Sequence, residues 1–231
     1  LSSLIVALDY SDLDSCRKLI KELKGLVSIY KIGSELFTAS GWEAVELVHQ
    51  SGGKVFLDLK LHDIPTTVAR TARIIAGRNI FMFNVHASGG LEMMREARKA
   101  VDQIPQGARP LLIAVTILTS LDEKVLSRDL GIQRPLADQV LALARLSQSA
   151  GLDGVVCSPQ EVSLLRRELG AAFLLVTPGI RLPGAELGDQ ARSLTPQEAV
   201  ARGANYLVVG RPITANSDPR ARTSEILQSL A

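Results

Sequence analysis

The chain has 231 residues, of which 46% are apolar, 22% charged and 4% aromatic, and its formal net charge is +2. A near-neutral balance without a basic stripe interleaved with aromatics predicts no nucleic-acid partner. No stretch approaches the ~18 uninterrupted apolar residues that a membrane span requires, so a soluble chain with an aliphatic core is expected.

The first run, 4–9 (LIVALD), reads as a strand that ends on Asp9. It lacks a basic flank and a small-residue cleavage site, and no signal peptide is expected. The next apolar residues, Leu13, Cys16, Leu19, Ile20 and Leu23, make one helical stripe. Strand 28–33 (SIYKIG) follows, then helix 42–49, strand 54–61 (KVFLDLKL) and helix 65–76. Strand 81–87 (FMFNVHA), helix 91–104, strand 110–117 (PLLIAVTI) and helix 136–150 come next. The last third alternates strand 154–158, helix 159–169, strand 173–179, helix 196–202, strand 206–210 and helix 219–230.

The strand runs are continuously apolar, as parallel strands covered on both faces require. Pro65, Pro159, Pro196 and Pro219 stand near helix starts, where a missing N–H does little harm. Thr195 and Glu198 have the spacing of a capping box. Eight strands each followed by a helix predict an α/β fold, a (β/α)8 TIM barrel, with residues 1–231 as a single domain. A doubly wound open sheet is the alternative. Eight regular units without a shift in composition favour closure. Cys16 and Cys157 are far apart and have no neighbouring ligand residues, which predicts reduced thiols and a cytoplasmic protein.

The polar residues of these runs fall at strand ends, where barrels of this kind place their active sites. Asp9 ends the first strand and Lys31 lies late in the second. Asp58 and Lys60 end the third and Asp63 follows it. Asn84 and His86 end the fourth; Thr116, Thr119 and Ser120 follow the fifth; Thr177 ends the seventh. Burying unpaired charge is costly, so charges in a buried run need partners and usually a purpose. Asp58 and Lys60 are two apart and leave the same face of a strand. A plain buried salt bridge would explain that pair alone, but not five charged groups on one rim. Gly210 and Arg211 end the last strand, and Arg181 follows the seventh. Glycine lets a ligand approach the backbone and arginine offers a fork for phosphate. His62 is read as a structural hydrogen-bonder, His86 as a neighbour of the site and His49 as a helix-face residue. Trp42 and Phe37 are read as packing, and Arg166 and Arg167 as solvated helix surface.

The run 55–67, VFLDLKLHDIPTT, contains D-x-K-x-x-D-I-P-x-T. With VALD, YKIG, NVHASGG, LTS, TPGIR, GDQAR and VVGRPIT in order, nearly the whole chain resembles the orotidine 5′-monophosphate decarboxylase family in its bacterial form. The resemblance implies conversion of orotidine 5′-phosphate to uridine 5′-phosphate and CO2 in pyrimidine synthesis. It implies that Lys60 donates the proton to C6, that Asp58 lies beside the departing carboxylate and that Lys31 holds Asp58 and a ribose hydroxyl. Asp63 would reach the partner subunit's site with Thr67, so a homodimer with sites at its interface is implied. Asp9 looks like a ribose contact and Thr119 would read the pyrimidine edge. Gln190, Gly210 and Arg211 would grip the phosphate with Arg181 in support; Ile64 and Pro178 complete the implied substrate-binding set. The implied chemistry uses neither metal nor organic cofactor. One rival is a Mg²⁺-dependent sugar-phosphate decarboxylase or aldolase on the same barrel, whose relatives carry an acid where Lys31 stands. The other is a nucleotide-binding barrel without chemistry.

Overall fold

The structure is a computed structural model that describes residues 3–180 and 194–230. Among the described residues, eight parallel strands close into a barrel in chain order. The order is β1 (Ser3–Ala7), α1 (Leu13–Glu22), β2 (Ile29–Gly33), α2 (Ser34–Ser40), α3 (Trp42–Gln50), β3 (Lys54–Leu61) and α4 (Pro65–Ala76). Then come β4 (Met82–His86), α5 (Gly90–Asp102), β5 (Leu111–Val115), α6 (Glu123–Asp129), α7 (Leu136–Ser149), β6 (Gly154–Val156) and α8 (Val162–Leu169). The chain ends with β7 (Leu174–Thr177), α9 (Pro196–Ala201), β8 (Tyr206–Val209), α10 (Arg211–Thr214) and α11 (Pro219–Gln228). The closed ring rules out the open-sheet alternative.

Side-chain alternation divides the strands between two cores. Ile5, Ala7, Ile29, Phe56, Met82, Ile113, Val176 and Val208 fill the barrel interior. Their odd-step neighbours, such as Val6, Tyr30, Leu57, Phe83 and Leu207, pack outward against the helices. Both faces are therefore dry, which is why the strands read as unbroken aliphatic runs. The helices supply matching stripes: Val68, Ala72, Ile75 and Ala76 on α4, and Met93, Met94, Ala97, Ala100 and Val101 on α5. Trp42 packs edge-on to Phe37 with centroids 5.3 Å apart, as expected of packing aromatics.

Helix starts follow local chemistry. Asp12 caps α1 by accepting from the Ser15 N–H at 2.8 Å. Thr195 and Glu198 form the expected capping box on α9. Pro65, Pro196 and Pro219 occupy first helical turns, but Pro159 does not, because α8 begins only at Val162. Glu161 accepts from the Ser158 N–H at 2.7 Å and closes a turn around Pro159 first.

Arg166 also departs from expectation. It is half-buried and donates to the carbonyls of Gly170, Ala171, Phe173 and Gly203 and to Asn205 Oδ1. It ties the end of α8 to the segments entering β7 and β8, on the face opposite the strand C-termini. Arg167 is exposed beside Glu168, as expected.

Candidate active site

Continuing each inward-facing row past the dry interior gives the polar rim. Ile5 and Ala7 lead to Asp9, Ile29 leads to Lys31, Phe56 leads to Asp58, and Val208 leads to Gly210. Asp9, Lys31, Asp58 and Gly210 line one cleft of about 320 Å³ at the C-terminal ends of the strands. Lys60, Thr119, Ser120, Pro178, Gly179 and Arg211 line it too, over an apolar floor that includes Phe56, Val115 and Val208. Gly179 sits at φ +75°, a left-handed turn that glycine alone adopts freely. A larger cavity of about 730 Å³ opens at the opposite end of the barrel, but its lining carries cations and no carboxylate.

Four charges alternate along the cleft wall. Asp9 Oδ1 lies 3.1 Å from Lys31 Nζ, Lys31 Nζ lies 3.5 Å from Asp58 Oδ2, and Asp58 Oδ1 lies 2.8 Å from Lys60 Nζ. Burial works against the Lys31 ammonium, but the carboxylates of Asp58 and Asp9 outweigh it and hold its pKa above the ordinary lysine value. The Lys60 side chain is 34% exposed against 12% for Lys31, so Lys60 is the more open of the two ammonium groups.

Strand β3 is not regular where it carries these groups. Leu57 pairs with Phe83 and Leu61 with Val85, so β3 advances four positions while β4 advances two. Lys60 itself has φ +52°. A left-handed residue with a side chain costs about 1–2 kcal/mol, a strain typical of functional positions. Two extra residues leave the faces unchanged, so Asp58 and Lys60 still converge as simple alternation requires. Asn84, buried at 1% exposure, fills the gap. Its Oδ1 accepts from the Lys60 N–H at 2.8 Å and its Nδ2 donates to Asp58 Oδ1 at 2.7 Å. An asparagine inside FMFNVHA was the sequence signal for it.

Asp63, Ile64 and Thr67 do not line this cleft. All three are exposed, on the loop after β3 and the first turn of α4, and Asp63 Oδ1 accepts from the Ile64 N–H at 2.6 Å. Arg181 and Gln190 lie outside the described residues. Thr116 bonds the Val156 carbonyl at 2.9 Å and Thr177 is fully buried, so neither enters the cleft. His62 is exposed with its ring 5.5 Å from that of His86, a ring contact where a hydrogen bond was expected. Burial, then the charges of His62 and Lys60, push the His86 pKa down, with Asp58 opposing. Among the described residues, no group of three or more His, Cys, Asp or Glu side chains has the placement to hold a metal ion. Among the described residues, no helix is long and apolar enough to cross a membrane.

Comparison with known proteins bears on the same residues. The model of the orotidine 5′-phosphate decarboxylase / HUMPS family matches residues 2–226. An orotidine 5′-phosphate decarboxylase of Moorella thermoacetica is 47% identical over 230 residues, covering 98% of this chain and 91% of that protein. One of Nitrosococcus oceani is 51% identical over 218 residues, covering 94% and 93%. The crystal structure of orotidine 5′-phosphate decarboxylase from Lactobacillus acidophilus superposes with a TM-score of 0.88 at 39% identity, over 100% of this chain and 99% of that one. That of an uncharacterized conserved protein from Geobacillus kaustophilus gives 0.87 at 37% identity, over 99% and 100%. The chain therefore belongs to the orotidine 5′-phosphate decarboxylase / HUMPS family.

Proposed function

We propose that the cleft removes CO2 from C6 of orotidine 5′-phosphate, with Lys60 as the proton donor. The chain has the activity of its decarboxylase relatives and makes uridine 5′-phosphate for pyrimidine biosynthesis. The observation that carries the assignment of roles is the Asp9–Lys31–Asp58–Lys60 row, which alternates in sign and ends on the more open, half-buried ammonium.

The C6–carboxylate bond breaks, its electron pair stays on C6, and an N–H proton of Lys60 passes to that carbon. CO2 leaves and water restores the ammonium. No electron sink exists in the substrate ring position, so a cation beside C6 must stabilise the carbanion. Asp58 beside the substrate carboxylate repels it. At ~4 Å and an effective dielectric of ~20 this is worth ~4 kcal/mol. Enzymatic accelerations correspond to ~8–23 kcal/mol, so repulsion assists and the ammonium leads. Arg211 and Gly210 hold the phosphate, with Gln190 and Arg181; Asp9 and Lys31 meet the ribose, and Thr119 and Pro178 border the base. Phosphate contacts remote from C6 orient the substrate without touching the reacting bond.

The functional unit is a homodimer in which Asp63, Ile64 and Thr67 complete the site of the other subunit. In support, Ile64 at the N-cap of α4 and Ile74 in its last turn are 64% and 58% exposed, apolar surface that a partner subunit would cover. A Mg²⁺-dependent reaction would require a divalent cation beside Asp58, where the Lys31 ammonium already stands.

The test is the near-ultraviolet loss of orotidine 5′-phosphate, with and without EDTA, for wild type and Lys60→Ala. Turnover indifferent to EDTA and about 10²–10⁴-fold or more slower in the variant is expected, the range associated with a positioned general acid. Turnover that requires a metal would transfer the assignment to sugar-phosphate chemistry. Binding without turnover would make the chain a nucleotide-binding barrel.

A further inference from the structure

We infer that Asn84 is a positioning residue for this decarboxylation: it holds the backbone kink that aims Lys60 and clamps the carboxylate that Lys60 is paired with. The inference rests on the role proposed above for Lys60.

Three observations combine. First, Lys60 has a left-handed backbone, which a side-chain-bearing residue keeps only where its surroundings over-determine it. Second, the β3–β4 ladder is broken between Leu57 and Leu61, and the Lys60 N–H donates to the Asn84 side chain. Asn84 thus supplies an acceptor that the slipped ladder leaves out. Third, the Asn84 amide nitrogen donates to Asp58 Oδ1, the same oxygen that faces Lys60 Nζ. One buried amide therefore restrains Lys60 at both ends, at its backbone directly and at its ammonium through Asp58.

Asn84 does not border the cleft, so it acts through its two partners and makes no contact with substrate. An asparagine is what the position demands. The Lys60 N–H needs an acceptor and the Asp58 carboxylate needs a donor, and an amide presents the two on separate atoms of one short, uncharged side chain. An aspartate at 84 would supply the acceptor but set a second carboxyl against Asp58. A leucine would supply neither and would strand a buried N–H.

The experiment measures kcat and uridine 5′-phosphate affinity for wild type, Asn84→Ala and Asn84→Asp across pH, with thermal melts as a fold control. In Asn84→Ala, kcat is expected to fall about 10²-fold, the scale associated with misplacing a reacting group by about 1 Å. Affinity for uridine 5′-phosphate, which lacks the carboxylate, stays within about threefold, since the groups that grip phosphate and ribose are untouched. Asn84→Asp is nearly isosteric and decides the matter alone if the alanine variant does not fold. Two carboxyls within hydrogen-bond distance share one proton. At low pH the shared proton replaces the lost donor, so the ratio of variant to wild-type kcat is expected to fall as pH rises. A packing role would give a ratio independent of pH.

Retention of kcat within about threefold in Asn84→Ala, or a flat ratio in Asn84→Asp, would overturn the inference while leaving the decarboxylase reading intact. Absence of turnover in the wild type would overturn both.

Discussion

Gly210 stands so close to Asp9 that a Cβ at position 210 would lie 3.0 Å from Asp9 Oδ2 and 3.5 Å from the Ala7 Cβ. The backbone of Gly210 has φ −110°, so its need for glycine comes from crowding and not from a left-handed conformation. Gly210→Ala should push the Asp9 carboxylate off its 3.1 Å contact with Lys31 while leaving the barrel intact. We expect kcat/KM to fall about tenfold, mostly through KM, with little change in melting temperature. Steady-state kinetics and a thermal melt decide it; unchanged kcat/KM would mean that Asp9 has slack in the site.

The exposed Asp63 makes a separate test of the dimer. Lys60→Ala and Asp63→Ala chains should each be nearly inactive. On mixing, both lesions of a heterodimer fall in one site and leave the other complete. Statistical exchange then restores about a quarter of wild-type activity, since half the dimers carry one good site of two. No recovery after subunit exchange would show that each chain uses its own Asp63.

His86 should make stability depend on acidity. Burial, His62 and Lys60 lower its folded pKa, against Asp58, so the folded state prefers the neutral ring. The unfolded chain takes up the proton first, near the ordinary histidine value of about 6.5. The contribution is therefore intact above that pH and is lost as pH falls through the folded value. Wild type should lose melting temperature as pH falls below about 6.5 more steeply than His86→Gln. Parallel curves for the two proteins would remove His86 from the account.

Arg166 predicts the opposite separation, stability without activity. Its guanidinium serves four carbonyls and one side-chain amide far from the cleft. Arg166→Ala takes the donor from the part-buried Phe173 and Gly203 carbonyls, while Asn205 Oδ1 keeps the Leu175 N–H, which should cost about 1–3 kcal/mol in denaturant unfolding. The kcat should not change. A loss of kcat at full stability would contradict the division between the two barrel ends.

The barrel was legible because its strands are dry on both sides and its helices carry stripes, and both leave long periodic traces. Asp58 and Lys60 were legible from alternation alone, since inserting two residues preserves the face. The kink was not. Nothing marks a lysine as left-handed in a sequence, and the slipped ladder depends on β4 as much as on β3. Helices α2 and α6 escaped because each buries a single apolar residue, Leu36 and Leu126, and one residue makes no stripe. Arg166 reads as surface in the sequence because a charge next to another charge on a helix usually is solvated. Its acceptors at Gly203 and Asn205 come from the chain's later return, and that proximity is tertiary.

The left-handed backbone at Lys60 also sets a rule for transplanting this chemistry. A designer who copies the two acids and two lysines onto an idealised barrel would reproduce every side chain yet flatten the strand beneath them. The ammonium would then leave its strand along a different line. What must be moved as one piece is the distorted pair of strands, with the side-chain amide that substitutes for a missing rung between them.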